Sequence, residues 1–102
     1  MNNAISYLPI PRRLPISKHM EKRYQCPCCG YFTLREQPRT YEVCPVCYWM
    51  DDPLQFHDLD CVRPMNKMSL NEARSNFRSY GAIDTKYMDL VRKPLDSDIN
   101  EP

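Results

Sequence analysis

Glycine, tryptophan and long apolar runs are scarce in this sequence. Only two of its 102 residues are glycine and one is tryptophan, and no apolar stretch has the length of a membrane span. The apolar fraction is 42%, and ten prolines interrupt regular structure. A chain of this length and composition is expected to form one small domain with a modest core. Such domains usually need a cross-link to be stable.

A large excess of either charge is also missing, since the formal net charge is +1. The charges are unevenly placed along the chain. Residues 1–25 carry five basic side chains and one acidic side chain, whereas residues 26–61 carry two basic and six acidic ones. An acidic central segment repels phosphate, so it is a poor candidate for nucleic-acid binding.

Six cysteines are present, and four of them form two short turns of the pattern Cys-Pro-x-Cys, at residues 26–29 and 44–47. Proline fixes one backbone angle in each turn, which lets two thiolates approach one metal ion from the same side. Two such turns supply four sulfurs, the ligand set of a closed tetrahedral zinc site. The sequence therefore predicts a structural Zn²⁺ ion held by Cys26, Cys29, Cys44 and Cys47.

Three disulfides are the alternative use of six cysteines. The first sixteen residues contain three prolines and two arginines but no apolar run of signal-peptide length. We therefore expect a cytoplasmic protein, in which Cys-x-x-Cys pairs act as metal ligands. Four thiolates leave no open coordination position, which favours a structural metal over a catalytic one.

Three further residues are candidates for metal or redox chemistry. Cys28 lies between two expected ligands, and it is either an inert thiol or a reactive thiol and alternate ligand. His57 and Cys61 have the spacing His-x₃-Cys, which could reach one metal ion. Ordinary packing or hydrogen bonding is the alternative interpretation of this pair.

Aromatic and acidic residues are concentrated between residues 41 and 60. Phe32 and Trp49 are expected mainly in the core. Tyrosine is frequent at protein interfaces, and exposed acids steer a basic partner. The sequence predicts a partner-binding surface formed by Tyr41, Tyr48, Asp51, Asp52, Asp58 and Asp60.

One helix has clear start and stop signals. Ser69 followed by Glu72 three residues later forms a capping box, apolar residues then recur at helical spacing, and Gly81 follows as the C-terminal cap. We predict a helix of about three turns after Ser69. Residues 51–66 show no period and are expected to be irregular.

The fold expected from these patterns is α+β, with zinc-ribbon-like β-hairpins cross-linked by the four cysteines and one C-terminal helix packed against them. The predicted organisation is an extended proline-rich arm at residues 1–18, a single domain at 19–93 and a polar tail at 94–102. Within the domain, residues 19–60 form the ribbon and residues 69–81 the capped helix.

Three ordered blocks resemble the bacterial cysteine-rich CPCC family. They are Cys-Pro-Cys-Cys-Gly-Tyr at 26–31, Cys-Pro-Val-Cys-Tyr-Trp-Met-Asp-Asp at 44–52, and Ser-Leu-Asn-Glu-Ala-Arg-Ser-Asn-Phe at 69–77 with Tyr-Gly-Ala at 80–82. The resemblance implies a small zinc-ribbon-like protein without implying a reaction. Small bacterial proteins of this kind are often immunity proteins that neutralise toxins.

The main hypothesis is a non-enzymatic, zinc-binding protein-interaction module, with an immunity protein that binds a toxin as its specific form. A nucleic-acid-binding zinc ribbon is the first alternative, because the N-terminal segment is basic and the hairpins are aromatic. A thiol redox protein that uses Cys28 or Cys61 is the second alternative.

Overall fold

The computed structural model describes residues 22–99. Its two strands, β1 and β2, pair in an antiparallel hairpin, and two α-helices, α1 and α2, follow them along the chain. The elements, including two short 3₁₀ helices, are β1 Tyr24–Gln25, β2 Phe32–Leu34, α1 Pro53–His57, α2 Leu70–Tyr80, and the 3₁₀ helices Thr85–Tyr87 and Asp96–Asp98. The arm predicted at 1–18 and the start of the predicted domain at 19 lie outside the described residues. None of the helices at residues 22–99 is long and apolar enough to cross a membrane.

The hairpin β1–β2 carries the first cysteine turn at its tip. Tyr24 pairs with Leu34 and Gln25 with Phe32, with an irregularity between the two pairs. The second turn has a weaker counterpart, because a single bridge joins Val43 to Met50. The expected small α+β fold is confirmed, but the second predicted hairpin is reduced to this one bridge.

Helix α2 begins and ends where the sequence predicts. The Ser69 hydroxyl accepts a hydrogen bond from the Glu72 backbone N–H, which satisfies one of the free donors at the helix start. Gly81 has φ +78°, and its N–H donates to the Phe77 carbonyl. Leu70 and Ala73 are buried, so one face of the helix closes the core.

Helix α1 lies in the segment that was expected to be irregular, so that prediction is wrong. The Asp52 carboxylate accepts a hydrogen bond from the Leu54 N–H, and Pro53 occupies the first helical position. An N-cap aspartate followed by proline is a recognised helix start. Five residues are too few to show a helical period, which is why periodicity alone missed the helix.

The C-terminal segment 94–99 is polar in composition but belongs to the packed structure. Its 3₁₀ helix Asp96–Asp98 packs against strand β2. The Asp98 side chain is fully buried, and its carboxylate accepts hydrogen bonds from the Arg92 guanidinium and the Leu95 N–H. The polar tail predicted from residue 94 therefore includes residues that fold back onto the hairpin.

The core is small and rich in sulfur. Buried residues from both cysteine turns, strand β2 and helix α2 form one cluster that includes Cys26, Cys44, Cys47, Leu34, Trp49, Leu70 and Ile83. Trp49 is buried as expected, whereas Phe32 is only half-buried. Apolar residues alone do not fill this core, so the cysteine side chains are part of its packing.

Candidate metal centre

The two cysteine turns share one backbone hydrogen-bond pattern. In the first turn, the Gly30 N–H donates to the Cys26 carbonyl at 2.9 Å and the Cys26 N–H donates to the Tyr31 carbonyl at 2.8 Å. In the second, the Tyr48 N–H donates to Cys44 and the Cys44 N–H donates to Trp49, both at 2.9 Å. Equivalent bonds at equivalent positions place both cysteines of each turn on one side.

Both turns need a left-handed residue directly after their second cysteine. Gly30 fills this position with φ +84°, and Tyr48 fills it with φ +77°. Glycine adopts this conformation readily, whereas tyrosine does so at a conformational cost. The Tyr48 ring stacks on the Tyr87 ring with centroids 4.2 Å apart and 21° between the planes. This stacking holds Tyr48 in place and offsets part of the cost.

Four sulfur atoms meet where the two turns face each other. Cys26 Sγ lies 3.6 Å from Cys47 Sγ, and Cys29 Sγ lies 3.7 Å from Cys44 Sγ. All four ligand atoms lie within 4.8 Å of one another. A tetrahedral site with metal–sulfur bonds of ~2.3 Å has sulfur–sulfur edges of about 3.8 Å. The four cysteines could therefore hold one metal ion with little rearrangement.

Hydrogen bonds to the Cys44 sulfur lower the pKa of its thiol. Bonds from Cys26, Cys29 and Cys47 lower the pKa of Cys44, and the Thr33 hydroxyl, 3.0 Å from its sulfur, lowers it further. The Val46 N–H also points at this sulfur, at 3.4 Å. Burial raises the pKa of Cys47. A sulfur that accepts several hydrogen bonds in a buried cluster is stabilised as a thiolate, the form that binds a metal cation.

Contacts from the C-terminal half hold both turns in place. The Arg74 guanidinium on helix α2 donates from Nε to the Pro27 carbonyl at 2.8 Å. The Ile83 N–H donates to the Cys47 carbonyl, and the Arg92 N–H donates to the Pro45 carbonyl. The sulfur cluster is therefore fixed by helix α2 and the segment that follows it, as well as by its own turns.

The other candidate ligands are not members of this four-sulfur group. Within the described part of the chain, the four cysteines of the two turns form the only group of three or more metal-ligating residues. Cys28 is 8% exposed and packs in the core, while His57 is exposed at the end of α1. Cys61 is half-buried, and its Sγ lies 3.9 Å from the Val62 carbonyl. The possible His57–Cys61 pair has no third ligand among residues 22–99.

Asp51 is buried, which corrects its assignment to the partner-binding surface. Its side chain is 1% exposed and accepts hydrogen bonds from the Arg39 backbone N–H at 2.7 Å and from Arg39 Nη1 at 2.8 Å. The Arg39 guanidinium also lies 3.6 Å above the Phe56 ring. Asp51, which follows the second turn, therefore ties that part of the chain to Arg39 in the loop before the turn, and is not available to a partner.

Asp52 is also buried and is likewise corrected. One carboxylate oxygen caps helix α1, and the other accepts a hydrogen bond from Arg63 Nε at 3.0 Å. Both of its oxygens are thus used within the fold. Adjacent carboxylates in this chain serve two separate structural purposes, and neither faces solvent.

The buried amide side chains of Asn66 and Gln55 support the second turn, and no sequence pattern predicted this pair. Asn66 accepts from the Met50 N–H and donates to the Met50 carbonyl and to Gln55 Oε1. Gln55 Nε2 in turn donates to the Cys61 and Met68 carbonyls. The side-chain oxygen and nitrogen of both amides each have a hydrogen-bond partner, so the network adds specificity to the core. Only the contrast between a buried position and a polar side chain could have revealed it.

The remaining residues of the predicted partner surface divide into two groups. Tyr41 is exposed, and so are Asp58 and Asp60. Tyr48 is half-buried because its ring stacks on Tyr87. The structure therefore leaves Tyr41, Asp58 and Asp60 accessible and uses Tyr48 in packing.

Comparison with known proteins gives one family. The family model described as Cysteine-rich CPCC matches residues 24–98, which is more than half of the chain and includes both turns and helix α2. No curated protein matches the sequence. The match covers the residues that build the sulfur cluster and those that hold it in place.

Proposed function

The chain belongs to the cysteine-rich CPCC family, and from that premise we propose that it is a zinc-binding module that recognises a partner protein. Four thiolates in a tetrahedral arrangement select zinc or iron among the common metals. Zinc needs no redox partner and commonly serves to hold small domains together. The proposal assigns no reaction to the chain, because four sulfurs fill the coordination sphere and leave no position for a substrate.

The metal part of the proposal is tested by elemental analysis of the purified chain. One zinc per chain is expected, and its removal by a chelator should abolish the folded circular-dichroism signal. A coloured protein that contains iron would contradict the choice of zinc. A chain that folds equally well without any metal would contradict the structural role.

One observation carries the partner-binding part: five large apolar side chains are exposed within a segment of twelve residues. These apolar residues are Leu54, Phe56, Leu59, Val62 and Met65. Together with the acidic residues Asp58 and Asp60 they form what we call the acidic surface. Val62 is 62% exposed and Leu54 is 51% exposed. Concentrated apolar exposure of this kind marks interaction sites on soluble proteins.

The charges of this surface indicate the chemistry of its partner. Asp58 and Asp60 are exposed. One oxygen of Asp58 accepts a hydrogen bond from the Asp60 N–H, and one oxygen of Asp60 accepts a bond from Asn71 Nδ2. Their remaining oxygens can accept bonds from lysine or arginine. A partner with a basic, partly apolar surface fits best. We extend the proposal to a toxin domain as that partner, because proteins that attack nucleic acid commonly have basic surfaces.

The partner is sought with the metal-loaded chain as bait in the native organism. The double variant Asp58→Lys, Asp60→Lys and the single variant Leu54→Glu should each lose a basic partner that the wild type retains. Met88→Glu is the matched control, since Met88 is 47% exposed and lies outside the acidic surface. Identical capture by all four proteins would contradict the assigned surface.

The toxin form of the proposal needs its own measurement. The captured protein, or the product of the adjacent gene, is expressed alone and together with the chain. Growth arrest that is relieved by the wild type and not by Leu54→Glu is expected. A product that does not impair growth would contradict the immunity role while leaving the binding role intact.

A further inference from the structure

A second surface, formed by a groove beside the metal centre, differs in character from the acidic surface. The groove encloses about 290 Å³ between the end of helix α2 and the segment 88–94. Its apolar walls include Phe77, Tyr80, Met88 and Val91. Val46, which lies between two cysteine ligands, also lines it. The groove is therefore built directly against the second cysteine turn.

Apolar exposure continues outside the groove. Tyr80 and Met88 line it and are each almost half exposed, and Leu90 and Leu95 are exposed close by along the chain. A pocket near the lower limit of about 300 Å³ for small-molecule sites holds one large side chain better than a whole cofactor. The apolar surroundings then provide further area for the rest of a peptide. A protein segment therefore fits this surface better than a small molecule.

The rim of the groove is positively charged. Arg92 and Lys93 line it, and no acidic residue does. Arg92 is paired with the buried Asp98 at 2.8 Å, which leaves its charge compensated. Lys93 has no ion pair among residues 22–99, so it supplies the uncompensated charge. The groove thus attracts acidic ligands, whereas the acidic surface attracts basic ones.

We propose that this groove docks an acidic peptide segment of a partner protein. One large apolar side chain of the segment enters the groove between Phe77 and Val91, and a neighbouring carboxylate pairs with Lys93. The inference adds a second binding surface to the proposed function and does not depend on the identity of the partner at the acidic surface.

The test uses the full, metal-loaded chain and three short peptides with blocked ends. The first is Glu-Glu-Leu-Glu-Glu; the second replaces its leucine by alanine, and the third replaces every glutamate by lysine. Binding is followed by amide chemical shifts in two-dimensional NMR. The first peptide should shift the signals of Val46, Gly81 and Val91. The other two should bind about tenfold more weakly, the change expected from one buried apolar side chain or a reversed charge.

Two variants separate this site from the acidic surface. Met88→Glu and Lys93→Glu should weaken binding of the first peptide about tenfold, and Lys93→Glu should improve binding of the lysine peptide. Leu54→Glu, which alters the acidic surface at a residue of similar exposure, should leave the affinity for the first peptide unchanged. The proposed function and this inference can therefore fail independently.

Three results would overturn the inference. The first is the absence of shifts at millimolar peptide, and the second is equal binding of the acidic and basic peptides. The third is self-association of the wild-type chain, detected by sedimentation and abolished by Met88→Glu, because a second copy would then occupy the groove.

Discussion

The two cysteine turns have the same backbone and different chemistry. Both close with the same pair of hydrogen bonds, yet the left-handed position is glycine in the first turn and tyrosine in the second. Cys29 in the first turn is half-buried, whereas both cysteines of the second are buried. A shared geometry can thus be reached by a permissive residue, or by a restricted residue that its surroundings hold in place.

The surroundings differ because more of the chain converges on the second turn. Asn66 pairs with Met50, Asp51 holds Arg39, and Thr33 reaches Cys44 from the first hairpin. The first turn receives two side-chain bonds of this kind, from Arg74 on helix α2 to the Pro27 carbonyl and from Gln25 on strand β1 to the Gly30 carbonyl. We therefore expect the second turn to be the less tolerant of substitution.

Loss of a ligand from the second turn has the largest expected effect. Cys44→Ser should abolish stable metal binding and unfold the chain, because binding of a structural zinc contributes about 10 kcal/mol or more to small domains. Cys29→Ser, at the half-buried ligand, should retain weaker binding with partial folding. Metal content and thermal unfolding of both variants check the comparison.

Cys28→Ser is the control for these ligand variants. Cys28 lies outside the four-sulfur group, so the metal content should equal that of the wild type. Equal loss of metal in Cys29→Ser and Cys28→Ser would show that Cys28 is an alternate ligand and would contradict the assignment of the four ligands.

Removal of the Asp51 carboxylate should have the next largest effect. Asp51→Ala leaves Arg39 without its buried partner and should lower the free energy of unfolding by about 3 kcal/mol. Urea unfolding of the metal-loaded variant measures the loss. Asp58→Ala, at an exposed carboxylate, is the control and should change stability by less than about 0.5 kcal/mol. Similar losses in the two variants would contradict the special support of the second turn.

Asp98 connects the C-terminal segment to the rest of the structure and makes the stability of the chain depend on pH. The hydrogen bond from Arg92 lowers the pKa of Asp98, so its contribution to stability is complete above the unfolded-state pKa of about 3.9 and is lost as the pH falls through the folded-state value. Asp98→Asn should therefore be less stable than the wild type by about 1 kcal/mol at pH 7. The difference should be constant between about pH 5 and pH 7 and shrink below about pH 4.

Carbon NMR titration of the Asp98 carboxyl provides the independent check. A folded-state pKa at or above about 3.9 would contradict the assigned effect of Arg92. The metal content of both proteins is measured at each pH, so that loss of metal is not mistaken for titration of Asp98.

Substitution of the left-handed residue in each turn tests how the two turns differ. Gly30→Ala should destabilise the chain by about 1 kcal/mol through its positive φ alone, since no atom lies within 4 Å of an added Cβ. Tyr48→Gly relieves a similar cost but loses the stack on Tyr87, so little net change is expected. Urea unfolding checks both values.

A double variant separates the backbone cost of the left-handed Tyr48 from the gain of its stack on Tyr87. In a Tyr87→Ala background the stack is already lost, and Tyr48→Gly should then stabilise the chain by a few tenths of a kcal/mol or more. If Tyr48→Gly destabilises both backgrounds equally, the stack does not hold the left-handed residue in place.

Removal of the Thr33 hydroxyl should have a small effect on stability. Thr33→Val removes the 3.0 Å contact with Cys44 Sγ and should lower the free energy of unfolding by about 1 kcal/mol or less. Metal affinity should fall in parallel, since the hydroxyl stabilises the Cys44 thiolate. Thr40→Val is the control, because Thr40 is exposed and its hydroxyl bonds to the Gln37 carbonyl. A larger metal-affinity loss in the control would contradict this role.

The cluster of four cysteines and helix α2 could be predicted because their signals are local. The spacing within each turn brings two sulfurs together, and Ser69 and Gly81 mark the ends of the helix through bonds to residues three or four positions away. The family resemblance likewise rested on these blocks. Local stereochemistry is therefore sufficient for this part of the structure.

The burial of Asp51 and Asp52 could not be predicted in the same way. Their partners, Arg39 and Arg63, lie twelve and eleven residues away with no periodic relation to them. The pairing of Gln55 with Asn66 is also non-local. A charged residue looks exposed in a sequence until the fold supplies its counter-charge. The same limit explains why Tyr48 was assigned to a surface.

The bond between Arg74 and the Pro27 carbonyl has a consequence for the order of assembly. It joins residues 47 positions apart, whereas the closest sulfur pairs are 15 and 21 positions apart. Closing the longer loop costs about 0.8 kcal/mol more in chain entropy. We expect chelation to come first and docking of helix α2 to follow, which stopped-flow mixing with zinc would resolve as two phases. Arg74→Ala should slow only the second phase, because helix α2 docks onto a zinc–cysteine cluster that has already formed.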